Sequence, residues 1–195
     1  MARSHAAEII GAYRKTHTRI LALAEKLPDE QLHWRATPDS LSVAFHLWHV
    51  ARWADHLQAA LPGMTAELGR RLAPGAQIWD AEGLATRWGF EPAQLGYAAT
   101  GMTMPETVAV NLTFPAKDAL LAYLSGAFAA IDRSLSAIDD QQFDEAEQPQ
   151  PLTEDIWGEG TVGDSILTHL IHDNRHLGML ECLVGIQSGS GSATV

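Results

Sequence analysis

Near the C-terminal end, the run His169-Leu-Ile-His172-Asp-Asn-Arg-His176-Leu-Gly178 carries three histidines at i, i+3 and i+7. On an α-helix of 3.6 residues per turn these share one face. His172 and His176 form an HxxxH pair one turn apart, so both imidazoles can reach a single ion. A tetrahedral or five-coordinate metal needs a third ligand, which one helix does not readily add. The other histidine-rich stretch holds His46, His49 and His56, with Trp53 among them at spacings of 3, 4 and 3. It is the natural source of the missing ligand. Periodicity alone allows two registers, His49 with His172 and His176, or His46 with His169 and His172.

Three neutral imidazoles leave a divalent ion its full charge and one or more open positions. Such an ion is a Lewis acid that can lower the pKa of a bound thiol or of bound water. Zinc or nickel suits the donor set first, and iron and manganese also tolerate it. Asp55, Asp173 and Glu181 are candidates to accept the outer ring N–H of a ligand histidine. His46, Trp53, His56, His169 and Arg175 border the expected pocket. No residue is placed by sequence as a catalytic general base. His5, His17 and His33 read as ordinary core or rim histidines. Cys182, flanked by Leu183 and Val184, reads as a buried structural thiol. A di-iron carboxylate site is excluded, because it needs two ExxH motifs on long helices. The one match, Glu30-Gln-Leu-His33, falls in a connector.

The elements that must position these residues are helical. Ile9, Ile10, Tyr13, Ile20, Leu23 and Leu27 recur at helical spacing, predicting a first helix over 4–27 that Pro28 stops. A second helix starts near Ser40 or Ser42, both good N-caps, and ends at Pro62-Gly63. A third begins at Pro115 and runs to about Ile138, with Leu120, Leu124, Phe128, Ile131 and Leu135 in its apolar stripe. Thr161 or Gly163 opens a fourth, which runs to about Ile186. Residues 63–114 form a long Gly- and Pro-containing insertion between helices 2 and 3, with short helices expected near 64–72 and 81–88. A connection of that length is usually a lid, a pocket wall or a subunit contact. Residues 139–160 form an acidic connector with Trp157 as its anchor, and 188–195 a flexible tail. With no strand pattern and no second core, the fold class is all-α, one four-helix bundle domain over 1–187. The long second connection permits helices 2 and 4 to lie antiparallel and face each other across the core, so that His49 can meet His172 and His176.

Composition narrows the function. The formal charge of −11 disfavours nucleic acid as a partner. One cysteine allows no internal disulfide, which fits a reducing cytoplasm. No apolar run is long enough to span a membrane, and the N-terminus lacks a signal-peptide core.

The stretch Leu32-His33-Trp34-Arg35-Ala-Thr-Pro38-Asp-Ser-Leu-Ser42, followed by His46-Leu-Trp-His49-Val-Ala-Arg52-Trp-Ala-Asp55, resembles the second-helix signature of the DinB/YfiT-like superfamily. His172-Asp-Asn-Arg-His176-Leu-Gly178 resembles its fourth-helix signature, and residues 80–89 look like the loop segment of one branch. The resemblance implies a four-helix bundle with a divalent metal held by three histidines, often in a homodimer. Carried over by position, His49, His172 and His176 are the ligands, and Gly178 after His176 favours that register. Characterised relatives include bacillithiol S-transferases, mycothiol-dependent maleylpyruvate isomerases and a domain of the ergothioneine sulfoxide synthases. The resemblance thus implies a transferase using a low-molecular-weight thiol on a small-molecule substrate, or else a non-catalytic metal- or ligand-binding stress-response protein. Where many members read His-Arg-Gly-Gln, this chain reads His176-Leu177-Gly178-Met179, which leaves the substrate open. His172, where the isomerases often carry Glu, is nearer the transferase-like pattern.

Overall fold

A computed structural model describes residues 4–148 and 160–189. Trp157 and the tail from 190 onward lie outside the described residues. Among the described residues the chain is helical, in the order α1 (His5–Lys26), α2 (Asp29–His33), α3 (Val43–Met64), α4 (Ala66–Arg71), α5 (Ile78–Ala81), α6 (Leu84–Arg87), a 3-10 turn (Pro92–Gln94), α7 (Glu106–Ala109), α8 (Lys117–Leu135), α9 (Asp140–Phe143) and α10 (Val162–Ser188). The four long helices α1, α3, α8 and α10 form the expected bundle.

Local chemistry sets their ends. The Ser4 and Ser42 side chains accept from the backbone N–H of Ala7 and Phe45, capping α1 and α3. Thr161 and Asp164 make a capping box at the start of α10, and Gly189 closes it in the left-handed conformation. Pro62 does not end α3 as its type suggests. It sits in the last turn, where it forgoes one backbone bond, and the helix continues to Met64.

Around the bundle the order is α1, α10, α3, α8, each packed on the next. His46, His49 and Trp53 of α3 meet His176, His172 and His169 of α10 in that order, so these two helices run antiparallel. They are ring neighbours, where the sequence suggested helices facing across the core. His17 stacks on Phe128, and Lys117 Nζ donates to the carbonyls of Glu25 and Leu27, so α1 and α8 are antiparallel. Thr16 reaches Asn174 and Arg19 reaches Glu181, so α1 and α10 run the same way. It follows that α3 and α8 are parallel. A chain leaving one must travel back the length of the bundle before starting the other. That is the structural reason for the long connection over 65–116, which carries α4 to α7.

Gly163 marks a close approach. A Cβ there would stand 2.2 Å from the Phe143 ring. Gly163→Ala is therefore expected to lower stability by about 1–3 kcal/mol through overpacking, read as a reduced urea midpoint. An unchanged midpoint would mean that Phe143 has room to move.

Candidate metal centre

Two helices and one loop build the site. His49, on the buried face of α3, and His172 and His176, one turn apart on α10, each offer a ligand nitrogen, and the three lie within 4.8 Å of one another. The two nitrogens of His49 and His172 that face each other, both Nε2, are 3.0 Å apart. His49 is buried, whereas His172 and His176 are half-buried, so the cluster opens to solvent on the α10 side.

The outer nitrogens decide what the inner ones can do. His49 Nδ1 meets the carbonyl oxygen of Thr100, which only accepts, so Nδ1 carries the proton and Nε2 a lone pair. His172 Nδ1 lies 2.9 Å from Asp173 Oδ1, which fixes the same tautomer. His176 Nδ1 lies 3.0 Å from His46 Nδ1. One proton assignment serves all three rings. If His176 donates to His46, its Nε2 is left bare, as in His49 and His172.

Two lone pairs aimed at each other across 3.0 Å repel unless a cation lies between them. Burial pushes His49 down to about 3, with the neighbouring His172 adding to the effect. Burial also takes His46 down to about 4, and it holds His176 well below the usual histidine range, reinforced by His49 and His172. A divalent metal fits the donor set. Three imidazole nitrogens within 4.8 Å of one another are a donor set that such an ion would take.

A buried relay supports His172. Asp173 is fully buried, and its second oxygen, Oδ2, lies 3.0 Å from His17 Nε2 on α1. Burial pushes its carboxyl up, but hydrogen bonds and charge from His17 and His172 outweigh that and hold it well below the usual carboxylate range. His17, read from sequence as an ordinary core histidine, thus positions the carboxylate that orients a ligand. The available signal was its register with Tyr13 and Ile20 on the buried side of α1.

The other expected site residues divide. His46 is the partner of His176, and Trp53 stands edge-on to His49, His169 and His172. His169 is buried with Nδ1 on the Ser165 carbonyl, and it lies outside the three-histidine cluster. His56 packs against Trp53 and Tyr97, deeper than the cluster. Two of the three expected outer acceptors serve elsewhere. Asp55 accepts from Arg52, Tyr123, Gln58 and the backbone N–H of Ile78 and Trp79, so it fastens the long connection to α3. Glu181 pairs with Arg19 at 2.9 Å. Arg175 is exposed. Cys182 is exposed as well, correcting its reading as a buried thiol, because its side of α10 faces outward. Leu177 is buried and Met179 is exposed, so the two departures from the family pattern leave the ligand cluster intact.

Sequence also missed the loop that supplies Thr100. The turn Tyr97-Ala98-Ala99-Thr100 has positive φ at both central alanines, 46° and 53°, and Thr100 N–H donates to the Tyr97 carbonyl at 2.8 Å. Left-handed alanine costs about 1 kcal/mol or more per residue. Hairpin turns of this type normally take Asn-Gly there, so residue type gave no turn signal.

Histidines kept neutral by burial make the metal-free fold acid-sensitive. Burial lowers His56 and His169 to about 4 each. Between pH 6.5 and 4 the unfolded chain takes up protons that the folded chain refuses. Stability is therefore complete above 6.5, falls as pH drops to about 4, and is then flat with respect to these groups. The loss is on the order of 3 kcal/mol for each of the two. Urea unfolding of metal-free protein at pH 7.5, 6 and 5 checks this, and equal midpoints would overturn it.

The comparisons with known proteins agree with this architecture. The crystal structure of a conserved protein from Enterococcus faecalis superimposes with a TM-score of 0.69 at 14% identity, covering 97% of this chain and 100% of that one. This likeness shows the shared fold. No curated protein matches the chain. The family model of the DinB superfamily matches residues 12–180, a span that contains the His49, His172 and His176 cluster. The chain belongs to the DinB superfamily.

Proposed function

We propose that this protein is a divalent-metal-dependent enzyme that transfers a low-molecular-weight thiol to an electrophilic small molecule. The observation that supports this reading most is the convergence of three neutral imidazoles, each with its outer nitrogen hydrogen-bonded, on one solvent-reachable point. A divalent ion there, zinc or nickel first among those the donors suit, would supply Lewis acidity that makes thiolate available near neutral pH. The protein's own part is to hold the three rings by hydrogen bonds to their outer nitrogens and, by burial, to keep His49 and His176 unprotonated. In the transfer, a sulfur–carbon bond forms as the bond from carbon to the leaving group breaks. The leaving group takes the electron pair, and the thiol proton passes to solvent. A reducing cytoplasm, which keeps such thiols reduced, is the compartment this reading requires.

The test is incubation of zinc- or nickel-loaded protein with several small thiols and electrophilic acceptors. Turnover that disappears with a chelator is the expected result. Absence of turnover with every pair, in protein shown to hold metal, would favour a metal-binding bundle without catalysis. A homodimer belongs to the same proposal. The large exposed apolar side chains among the described residues, Leu167, Ile171, Met179 and Ile186, all lie on α10. Light scattering that returned the mass of a single chain would remove that part.

A further inference from the structure

We propose that Arg52 is a positioning residue for the metal centre, acting through the Tyr97–Thr100 turn to hold the Thr100 carbonyl against His49. The inference rests on the metal-site reading above. Arg52 lies one turn beyond His49 on α3 and is 1% exposed. Its Nη2 donates to the Ala98 carbonyl at 2.8 Å and its Nε to the Ala99 carbonyl at 2.9 Å. The next carbonyl, that of Thr100, takes the Nδ1 proton of His49. Three successive carbonyls are thus turned toward α3, two for Arg52 and one for the ligand histidine.

The turn does not hold this shape on its own residue types. Both central positions are left-handed alanines. Around them, Thr100 Oγ1 donates to the Tyr97 carbonyl at 2.7 Å and Gly101 N–H to the Leu95 carbonyl at 2.9 Å. Arg52 is the side chain that reaches both strained carbonyls, and its planar fork can serve them together. Its remaining donors go to Asp55, Tyr123 and Gln77, and its guanidinium lies 4.9 Å from the centre of the Trp79 ring. Gly101 completes the device. Its φ is +92°, and a Cβ there would stand 2.9 Å from Trp48 and 3.1 Å from His49 Nδ1. The loop therefore meets the ligand ring at a point where no larger residue fits.

The experiment measures zinc affinity by calorimetry and the His49 tautomer by imidazole nitrogen NMR. Arg52→Lys keeps the charge and loses the fork. It is expected to weaken zinc binding about 10–100-fold, the range for losing a group that orients a ligand, and to mix the His49 tautomers. Adding Ala98→Asn and Ala99→Gly to that variant supplies a turn that holds itself, and should restore affinity to within about threefold of the unaltered protein. Gly101→Ala leaves the Arg52–Asp55 pair untouched and should weaken zinc binding while melting stays cooperative, a second arm should Arg52→Lys fail to fold. Unchanged affinity in Arg52→Lys or in Gly101→Ala overturns the proposal, as does a loss that the turn replacement does not restore. If the unaltered protein holds no zinc or nickel, the metal-site reading itself fails, a result distinct from all of these.

Discussion

Replacing His172 with alanine is expected to abolish stoichiometric binding of zinc or nickel, with affinity falling by more than ~100-fold. Removal of an orienting partner typically costs 10–100-fold, and removal of a ligand costs more. The argument is geometric. His49 and His172 are the pair whose inner nitrogens stand 3.0 Å apart, and each has its proton committed to an outer acceptor. Without His172, the His49 and His176 nitrogens are two donors on different helices, too few to complete a closed three-ligand face. His46→Ala should have the smaller effect of a lost orienting partner, because His46 meets His176 through the nitrogen that faces away from the metal. Metal content by mass spectrometry after dialysis, with calorimetry on both variants, checks the order. Full metal content in His172→Ala would overturn the ligand assignment in either register, and a larger loss in His46→Ala would favour the register of His46 with His169 and His172.

Asp55→Ala should cost stability rather than metal in the first instance, on the order of 4 kcal/mol. It leaves the buried Arg52 guanidinium without its counter-charge, for which about 3–5 kcal/mol is typical. It also strips the acceptor from the backbone N–H groups of Ile78 and Trp79, whose hydrogen bonds to Asp55 are both 2.9 Å. Set against a total stability of roughly 5–15 kcal/mol, such a loss brings the fold to its margin. The expected result is a large drop in urea midpoint together with early proteolytic cleavage between residues 65 and 116. A change below about 1 kcal/mol would contradict the fastening role. Asp55→Asn, which keeps two acceptor positions, should fall between.

Periodicity made the bundle and its two histidine-bearing faces legible in sequence, and the family resemblance chose His49, His172 and His176 from the two registers that periodicity left open. His49, His172 and His176 sit at helical spacing on apolar faces, and Ser42 and Thr161 mark where those helices begin. What periodicity does not carry is which residue of a face meets which partner. His46 and His49 share a side of α3, and only the packing of α10 assigns one to be a ligand and the other to support a ligand. Asp55 looked equally suited to orient a ring, yet its carboxylate points at the long connection, whose path has no period to read. His17 and Thr100 escaped for the same cause. Each reaches the centre from an element remote in sequence, and the turn that brings Thr100 there is built on alanines, which do not announce a turn. Cys182 was misplaced because apolar neighbours suggest burial, while the helical register turns it outward.

The parallel run of α3 and α8 has a kinetic consequence. Because the chain must double back between them, the metal centre is assembled from the second long helix, a returning loop and the last long helix, pieces far apart along the chain. Pairings of such high sequence separation form slowly and late. During synthesis His49 emerges well before His172 and His176, so the complete ligand set exists only once α10 has docked. A growing chain thus presents a single histidine of the set, and the three-histidine cluster is completed only at the final step of folding.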